Sequence, residues 1–207
     1  MLADSASEVL GFWQGLRVTH DTIVALAALG VAGQVLGGLL ILVGLAAAAG
    51  MRGPLRRLRS VLWGYELWAA FVVAAIATGG SLFFSEIAQF VPCELCWYQR
   101  ICMYPLSILT LFAAVHGDYR VARYLLPLPV VGAGVSVYHV LVENHVVAQA
   151  TACLASAPGG CATKWIDEFG WMTIPTLALT GFVLLTGFLA LAAAEADDGA
   201  GTLAENG

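Results

Sequence analysis

The sequence predicts an all-α integral membrane protein with five transmembrane helices. Of its 207 residues, 60% are hydrophobic and only 11% are charged, and the mean hydropathy is +0.84. Soluble proteins carry about 25% charged residues, so a soluble enzyme or a nucleic-acid-binding domain is excluded. A helix needs about 20 apolar residues to cross a bilayer. The predicted spans are residues 23–50, 61–85, 97–115, 125–142 and 172–194.

The individual spans differ at their starts. No charged residue occurs from Ile23 to Gly50, and residues 1–22 lack the basic start and cleavage site of a signal peptide, so we expect this first span to be retained. The second span carries Glu66 near its start. The third is free of charge only from Ile101, so its opening turn is unusual. Prolines open the last two spans, where a missing N–H costs little.

Two arginine clusters predict the orientation in the membrane. MRGPLRRLR lies between the first and second spans and HGDYRVAR between the third and fourth. Short cytoplasmic loops are enriched in Lys and Arg, so both connections should face the cytoplasm. By alternation, the N-terminal segment 1–22, the 86–96 connection and the 143–170 loop face outward. The acidic tail 195–207 is expected to be cytoplasmic and irregular.

Four of the five cysteines form two pairs on the predicted outer side. Cys93 and Cys96 belong to PCELCWYQR, and Cys153 and Cys161 lie in the following outer loop, whereas Cys102 lies within a span and is predicted to be inert. Disulfides persist outside the cytoplasm, and a CxxC spacing is typical of thiol-disulfide exchange. A structural zinc site and two purely structural disulfides are alternatives. The long CLASAPGGC spacing disfavours zinc, whose paired cysteines are usually separated by about two to four residues.

An arginine and a histidine accompany these thiols within the membrane. Arg100 follows Cys96 by four residues, so both side chains lie on one helix face. The helix dipole and the guanidinium would stabilise a thiolate at Cys96. His139, late in the fourth span, is predicted at the same depth as Arg100. Snorkelling of Arg100 and simple packing of His139 are the alternatives; His145 is expected nearer the water.

These residues resemble the quinone-coupled disulfide oxidases of the DsbB type. The features that carry the resemblance are Cys93-Glu-Leu-Cys96 followed by Trp-Tyr-Gln-Arg100, then Tyr138-His139, then the second cysteine pair. The resemblance implies a four-helix bundle core over residues 61–194. Residues 23–60 would add one N-terminal transmembrane helix and its basic loop. Gly33, Gly37 and Gly38 of this helix would serve for packing or for an oligomer contact.

The resemblance also implies residue roles and partners. Cys153 would be attacked by the thiolate of a DsbA-like thioredoxin-fold protein, and Cys161 would exchange with Cys93. Cys96 would pass the electrons to a quinone, ubiquinone or menaquinone, held by Arg100 and His139. No metal is expected, and the implied location is the bacterial plasma membrane.

Three other functions are compatible with parts of this pattern. Vitamin K epoxide reductase-like enzymes perform related chemistry, but their loop pair precedes the CxxC. A reductive membrane thiol conduit would need a thiol pair on the cytoplasmic side, and the sequence has none there. A non-catalytic membrane scaffold would hold two structural disulfides.

Overall fold

The computed structural model describes the backbone of residues 2–205 and the side chains of residues 17–196. Within these residues the fold is all-α, as predicted, and the only β-type pairing is an isolated bridge between Glu168 and Met172. The α-helices are α1 (Leu2–Ala48), α2 (Arg52–Leu62), α3 (Glu66–Leu82), α4 (Glu94–His116), α5 (Ala122–Leu125), α6 (Pro127–Glu143), α7 (Thr151–Ser156) and α8 (Ile174–Glu205).

Five stretches of this fold are long and apolar enough to cross a membrane, which confirms the predicted number of spans. A π-helical turn, Phe83–Ile87, extends α3, and a 3-10 turn, Tyr119–Val121, precedes α5 and α6. The five stretches are Arg17–Ala48, Glu66–Ile87, Glu94–His116, Tyr119–Glu143 and Ile174–Ala196.

The segments around these spans are more helical than predicted. Helix α1 is continuous from Leu2, so the backbone of the N-terminal segment is helical up to the first span; its location outside the cytoplasm stays a prediction. The basic loop forms the amphipathic helix α2, because Leu55, Leu58 and Leu62 recur at helical spacing and pack against the core. The acidic tail continues α8 to Glu205 and is not irregular, since its alanines favour helix.

Helix α8 lies at the centre of the bundle and packs against α1, α3 and α6. Its side chains Phe182, Leu185 and Leu189 are fully buried. The Phe182 ring lies directly against Gly132 of α6, where a Cβ atom would come within 2.4 Å of the ring. The close approach of these two helices therefore requires glycine at position 132.

The alternating direction of the spans separates two chemically different ends of the bundle. The connection that contains α2 and the turn at Tyr119–Val121 lie at one end, which we call the arginine end. The connection from α3 to α4 and the loop from α6 to α8 lie at the other, which we call the cysteine end. Both cysteine pairs are therefore on the same side of the bundle.

Candidate redox site

The CxxC motif lies at the N-terminus of α4. The helix begins at Glu94, so Cys93 is its N-cap residue and Cys96 lies in its first turn. Both cysteines are free thiols whose sulfur atoms are 3.1 Å apart, a distance at which one thiol hydrogen-bonds the other. Cys93 is buried, and Cys96 is half-buried. This end of the helix carries the positive pole of the backbone dipole, which favours a thiolate.

The second pair, Cys153 and Cys161, forms a disulfide with a Cα–Cα distance of 5.2 Å. Cys153 belongs to the short helix α7, and Cys161 belongs to a 3-10 turn, Gly160–Ala162. Each cysteine is only 1% exposed, and both pack with Cys93 and Leu95 in one hydrophobic cluster. The loop has folded back so that the disulfide is buried against the start of α4.

Hydrogen bonds fix this loop in its docked position. The Ser156 hydroxyl accepts the backbone N–H of Glu94 at 3.0 Å and donates to the carbonyl of Cys153 at 2.9 Å. The Gln149 side chain accepts the N–H of Cys161 at 3.0 Å. The first turn of a helix has N–H groups without a partner in the helix, and Ser156 satisfies one of them from the loop.

His139 connects the two cysteine pairs. Its Nε2 atom lies 3.6 Å from Cys93 Sγ and 3.1 Å from the carbonyl oxygen of Cys161. A carbonyl can only accept, so Nε2 carries the hydrogen and donates it. The imidazole is buried, and its Nδ1 atom has no hydrogen-bond partner among the residues that the structure describes. One nitrogen atom therefore contacts both the thiol motif and the disulfide loop.

These neighbours lower the pKa of Cys93 to about 4. The largest cause is the hydrogen bond from the Cys96 thiol, and the hydrogen bond and charge of His139 act in the same direction. Burial of Cys93 opposes the shift; it is a smaller effect than the Cys96 hydrogen bond but a larger one than either contribution of His139. The sequence-based expectation was a stabilised thiolate at Cys96; in the structure it is Cys93, the N-cap residue, that receives the hydrogen bonds.

A larger cavity opens on the other side of Cys96. It has a volume of about 230 Å³, just below the range of about 300–1,000 Å³ typical of ligand pockets. Its walls are mainly apolar and come from α1, α3, α4 and α8. The polar side chains that line it include Ser81, Gln99, Arg100 and Tyr104. Cys96 borders both this cavity and the cluster of thiols.

Arg100 is held at the wall of this cavity. Its guanidinium donates to the carbonyl of Ser81 at 3.1 Å and lies 5.2 Å from the centre of the Trp97 ring. The guanidinium has five N–H donors, of which Ser81 accepts one. Three stacked rings, Phe84, Phe90 and Trp165, also border the cavity, with centroid distances of 6.1 and 5.2 Å between successive rings.

Comparison with known proteins identifies the family. A profile described as disulfide bond formation protein DsbB matches residues 65–192. The chain belongs to the DsbB family. It is therefore a multi-pass membrane protein with the disulfide oxidoreductase activity of disulfide formation proteins. Helices α1 and α2 precede the matched region.

Relatives named as disulfide formation proteins match about 60% of this DsbB-family chain. Disulfide bond formation protein C of Bacillus subtilis (strain 168) is 47% identical over 127 residues, 60% of this chain and 90% of the relative. A probable disulfide formation protein of Deinococcus radiodurans is 41% identical over 132 residues, 60% of this chain and 86% of the relative. A probable disulfide formation protein of Coxiella burnetii (strain Dugway 5J108-111) is 38% identical over 133 residues, 64% of this chain and 90% of the relative. No solved structure is significantly similar.

The structure brings most of the predicted site residues of this DsbB-family chain together. Cys93, Cys96, His139 and Cys161 meet at the cysteine end, with Cys153 bonded to Cys161. Arg100 lies instead at the larger cavity, which Cys96 shares. His139, which was predicted to contact a quinone, does not border the larger cavity and lies between Cys93 and the loop. Cys102 is buried in the main core.

Glu143 was not predicted from the sequence. It is buried one turn beyond His139 on α6 and accepts a hydrogen bond from the Thr173 hydroxyl at 2.7 Å. With Cys93, Cys96 and His139 it lines a cavity of about 20 Å³, large enough for a single water molecule. The four-residue spacing of His139 and Glu143 on a helix is a signal that could have suggested this pair.

The thiol cluster also has the residue types of a soft metal site. The ligand atoms of Cys93, Cys96 and His139 lie within 4.8 Å of one another. Two thiolates and an imidazole are ligands that zinc accepts. This set uses one cysteine pair and a histidine, so it differs from a zinc site made of all four outer cysteines.

Proposed function

We propose that this DsbB-family protein re-oxidises a DsbA-like thioredoxin-fold protein outside the cytoplasm and passes the electrons to a membrane quinone. The observation that carries the proposal is the double contact of the CxxC motif. Through His139 it meets the disulfide loop, and through Cys96 it borders an apolar cavity that also contains Arg100. Thiol exchange and electron transfer to a lipid-soluble acceptor would meet at this motif.

The first step of the proposed reaction is exchange with the partner. A thiolate of the partner attacks Cys153, the Cys153–Cys161 bond breaks, and Cys161 leaves as a thiolate. The partner's second thiol then releases Cys153 and completes the partner's disulfide. Two electrons and two protons have moved from the partner to this chain. Because both loop cysteines are 1% exposed, this step requires the loop to leave its docked position.

The second step is transfer within the chain. The Cys161 thiolate attacks Cys93 of an oxidised Cys93–Cys96 pair, so that the Cys93–Cys96 bond breaks and Cys96 leaves as a thiolate. Cys153 then attacks Cys161 of the Cys161–Cys93 bond, Cys93 leaves as a thiolate, and the loop disulfide is restored. The hydrogen bond from His139 to Cys93 favours Cys93 as the leaving thiolate, since a thiol with a low pKa leaves faster. The product is a free Cys93/Cys96 pair beside an intact loop disulfide.

The third step uses the larger cavity. The Cys93/Cys96 dithiol would lose two electrons and two protons and become a disulfide, and a quinone, ubiquinone or menaquinone, would supply the acceptor for them. The cavity fits a ring-sized headgroup, because it is mainly apolar and Arg100 supplies hydrogen-bond donors for a carbonyl oxygen. Arg100 is our proposed contact of the quinone. We assign His139 to the thiol exchange, where its contacts lie.

An assay of quinone reduction tests the proposed function. Purified protein, a reduced thioredoxin-fold thiol oxidase and a short-chain ubiquinone or menaquinone analogue should show loss of quinone absorbance. Cys96→Ser and Cys153→Ser should abolish this turnover, whereas the matched control Cys102→Ser should retain it. Full turnover in both active-site variants would refute the oxidase and favour a scaffold.

Arg100→Ala tests the acceptor site separately from the thiol exchange. We expect the quinone KM to rise at least about tenfold, because one charge-assisted hydrogen bond contributes about 1.5–3 kcal/mol. Formation of the mixed disulfide with the partner should be unaffected. Arg120→Ala, at the arginine end, is the matched control. An unchanged KM in Arg100→Ala would remove Arg100 from the acceptor site.

The alternatives have less support. A reductive conduit would draw electrons from a donor on the opposite side of the membrane. Among the described side chains no cysteine pair lies at the arginine end, and the remaining thiol, Cys102, is buried in the core.

A further inference from the structure

The N-terminal helix α1 packs against α8 through a row of glycines. A Cβ atom at Gly30 would lie 2.4 Å from Leu177, and one at Gly33 would lie 2.9 Å from Thr180. At Gly37 the corresponding distance to Val183 is 3.2 Å. Small residues allow close helix approach in membranes. Gly30, Gly33 and Gly37 therefore pack within the chain along α8, whereas Gly38 has nothing within 4 Å of an added Cβ.

This packing makes α1 a wall of the larger cavity. Leu26, Leu29, Gly30 and Gly33 all line it. Leu26 also reaches α3, since its Cδ1 atom lies 3.5 Å from the position of a Cβ at Gly80. Helix α1 thus bridges α8 and α3 on one side of the cavity.

The chemistry of this wall differs from that of the α4 wall. The α1 side contributes leucine side chains and glycine backbone, whereas α4 contributes Cys96, Gln99 and Arg100. A planar ring with a polar edge and apolar faces matches such a cavity. The region shared with the DsbB profile begins at residue 65, so the α1 residues that line the cavity lie outside it.

We propose that α1 is a substrate-contacting wall of the quinone cavity, and that Leu26 and Leu29 limit the size of the headgroup it accepts. This inference rests on the proposed function, because it assumes that a quinone binds beside Arg100. It assigns α1 a role in acceptor binding within the single chain.

Photolabelling gives a readout that does not depend on turnover. Full-length protein is irradiated with an azido-quinone and digested with trypsin, which cleaves after Arg17 and Arg52 and releases residues 18–52, the peptide that contains the membrane-spanning part of α1. We expect label between Leu26 and Gly33, and excess unlabelled quinone should suppress it. Label confined to peptides from α3, α4 or α8 would overturn the role of α1 and leave the proposed function intact.

A matched pair of variants tests the size limit. Leu29→Trp enlarges a residue that lines the cavity, and Leu39→Trp makes the same change on α1 away from it. The two leucines are 55% and 51% exposed, so the changes are comparable in burial. We expect Leu29→Trp to raise the quinone KM at least about tenfold with little change in kcat, whereas Leu39→Trp should match the wild type. Equal KM values for the two variants would contradict the size limit.

Leu26→Ala tests the limit in the opposite direction. Removing this side chain should widen the cavity, so the ratio of kcat/KM for a bulky quinone analogue to that for a small one should rise at least about threefold. An unchanged ratio would contradict the limit. In every variant, mixed-disulfide formation with the partner should be retained. If the wild type neither reduces nor binds any quinone, the proposed function fails, and the inference fails with it.

Discussion

Cys93 and Cys96 occupy different environments although three positions separate them. Cys93 is buried at the N-terminus of α4, where it receives hydrogen bonds from the Cys96 thiol and His139. Cys96 faces the larger cavity. This asymmetry suits a pair in which Cys93 exchanges with the loop and Cys96 faces the electron acceptor.

A thiolate titration tests the environment of Cys93. In a reduced variant with serine at positions 102, 153 and 161, the thiolate absorbance of the remaining pair should persist as pH falls and disappear only near pH 4. An ordinary thiol titrates near pH 8.5. The lowered pKa means that the folded state gains stability from this group above the unfolded pKa and loses it as the pH falls toward about 4.

His139→Leu is the variant that isolates the histidine. Loss of its hydrogen bond should raise the midpoint by about one to two pH units, since a charge-assisted bond contributes about 1.5–3 kcal/mol. His145→Leu, an exposed histidine at the same end, should leave the midpoint unchanged. If the thiolate absorbance of the variant with serine at positions 102, 153 and 161 first fell near pH 8.5, the lowered pKa of Cys93 would be contradicted.

The site residues that could be predicted are those whose role follows from their spacing to nearby residues in the sequence. The CxxC pair, the second cysteine pair and Arg100 could all be identified from the sequence. The partner of the Glu94 N–H could not, because Ser156 lies 62 positions away. The Thr173–Glu143 contact spans 30 positions. Such contacts depend on how the loop folds back, and no local pattern encodes that.

Helix α7 carries Cys153, one half of the buried loop disulfide. It holds Cys153 against α4 through Ser156, which bonds both Glu94 N–H and the Cys153 carbonyl. We expect Ser156→Ala to weaken docking by about 1 kcal/mol, the usual effect of losing a helix-capping hydroxyl. Attack of a thiol reductant on Cys153–Cys161 should then accelerate about fivefold.

Stopped-flow reduction of the disulfide measures this effect. Thr151→Ala, which removes an exposed hydroxyl from the same helix, is the control and should react at the wild-type rate. If Ser156→Ala also reacted at that rate, docking by Ser156 would not limit access to the disulfide.

The close contact between α6 and α8 at Gly132 allows core packing to be tested by substitution. Gly132→Val would place methyl groups where the Phe182 ring lies and should destabilise the bundle by about 1–3 kcal/mol. Gly134→Ala, on the same helix with nothing within 4 Å of the added Cβ, should be neutral or stabilising. Thermal unfolding in detergent compares the two, and equal melting temperatures would contradict the packing account.

The helices themselves were predictable from hydropathy, but their ends depended on local chemistry. Pro127 opens α6 as predicted. The second span was expected from residue 61, whereas α3 begins at Glu66 because Gly64 adopts a left-handed conformation with φ +80° and separates it from α2. The helical spacing of Leu55, Leu58 and Leu62 indicates α2, but the arginines among these leucines led to the prediction of a basic loop.

At the scale of the whole molecule, the two ends carry opposite chemistry. Six of the nine basic residues lie in the two connections at the arginine end, whereas Lys164 is the only lysine or arginine in the loop between α6 and α8. The sequence could predict this separation because it follows from alternation of the spans. It could not predict that α1 packs against α8 and lines the cavity, because glycine spacing alone does not identify the partner helix.

Membrane orientation is the last prediction, and it follows from this distribution of charge. The arginine end should face the cytoplasm, and the cysteine end should face outward. In a background without native cysteines, a cysteine introduced at Val146, which is exposed beside the disulfide loop, should react with a membrane-impermeant maleimide in intact cells. A cysteine at Met51, exposed at the arginine end, should react only after the cells are opened. The reverse labelling pattern would place both thiol pairs in the reducing cytoplasm, where a stable loop disulfide and re-oxidation of an outer partner could not be maintained.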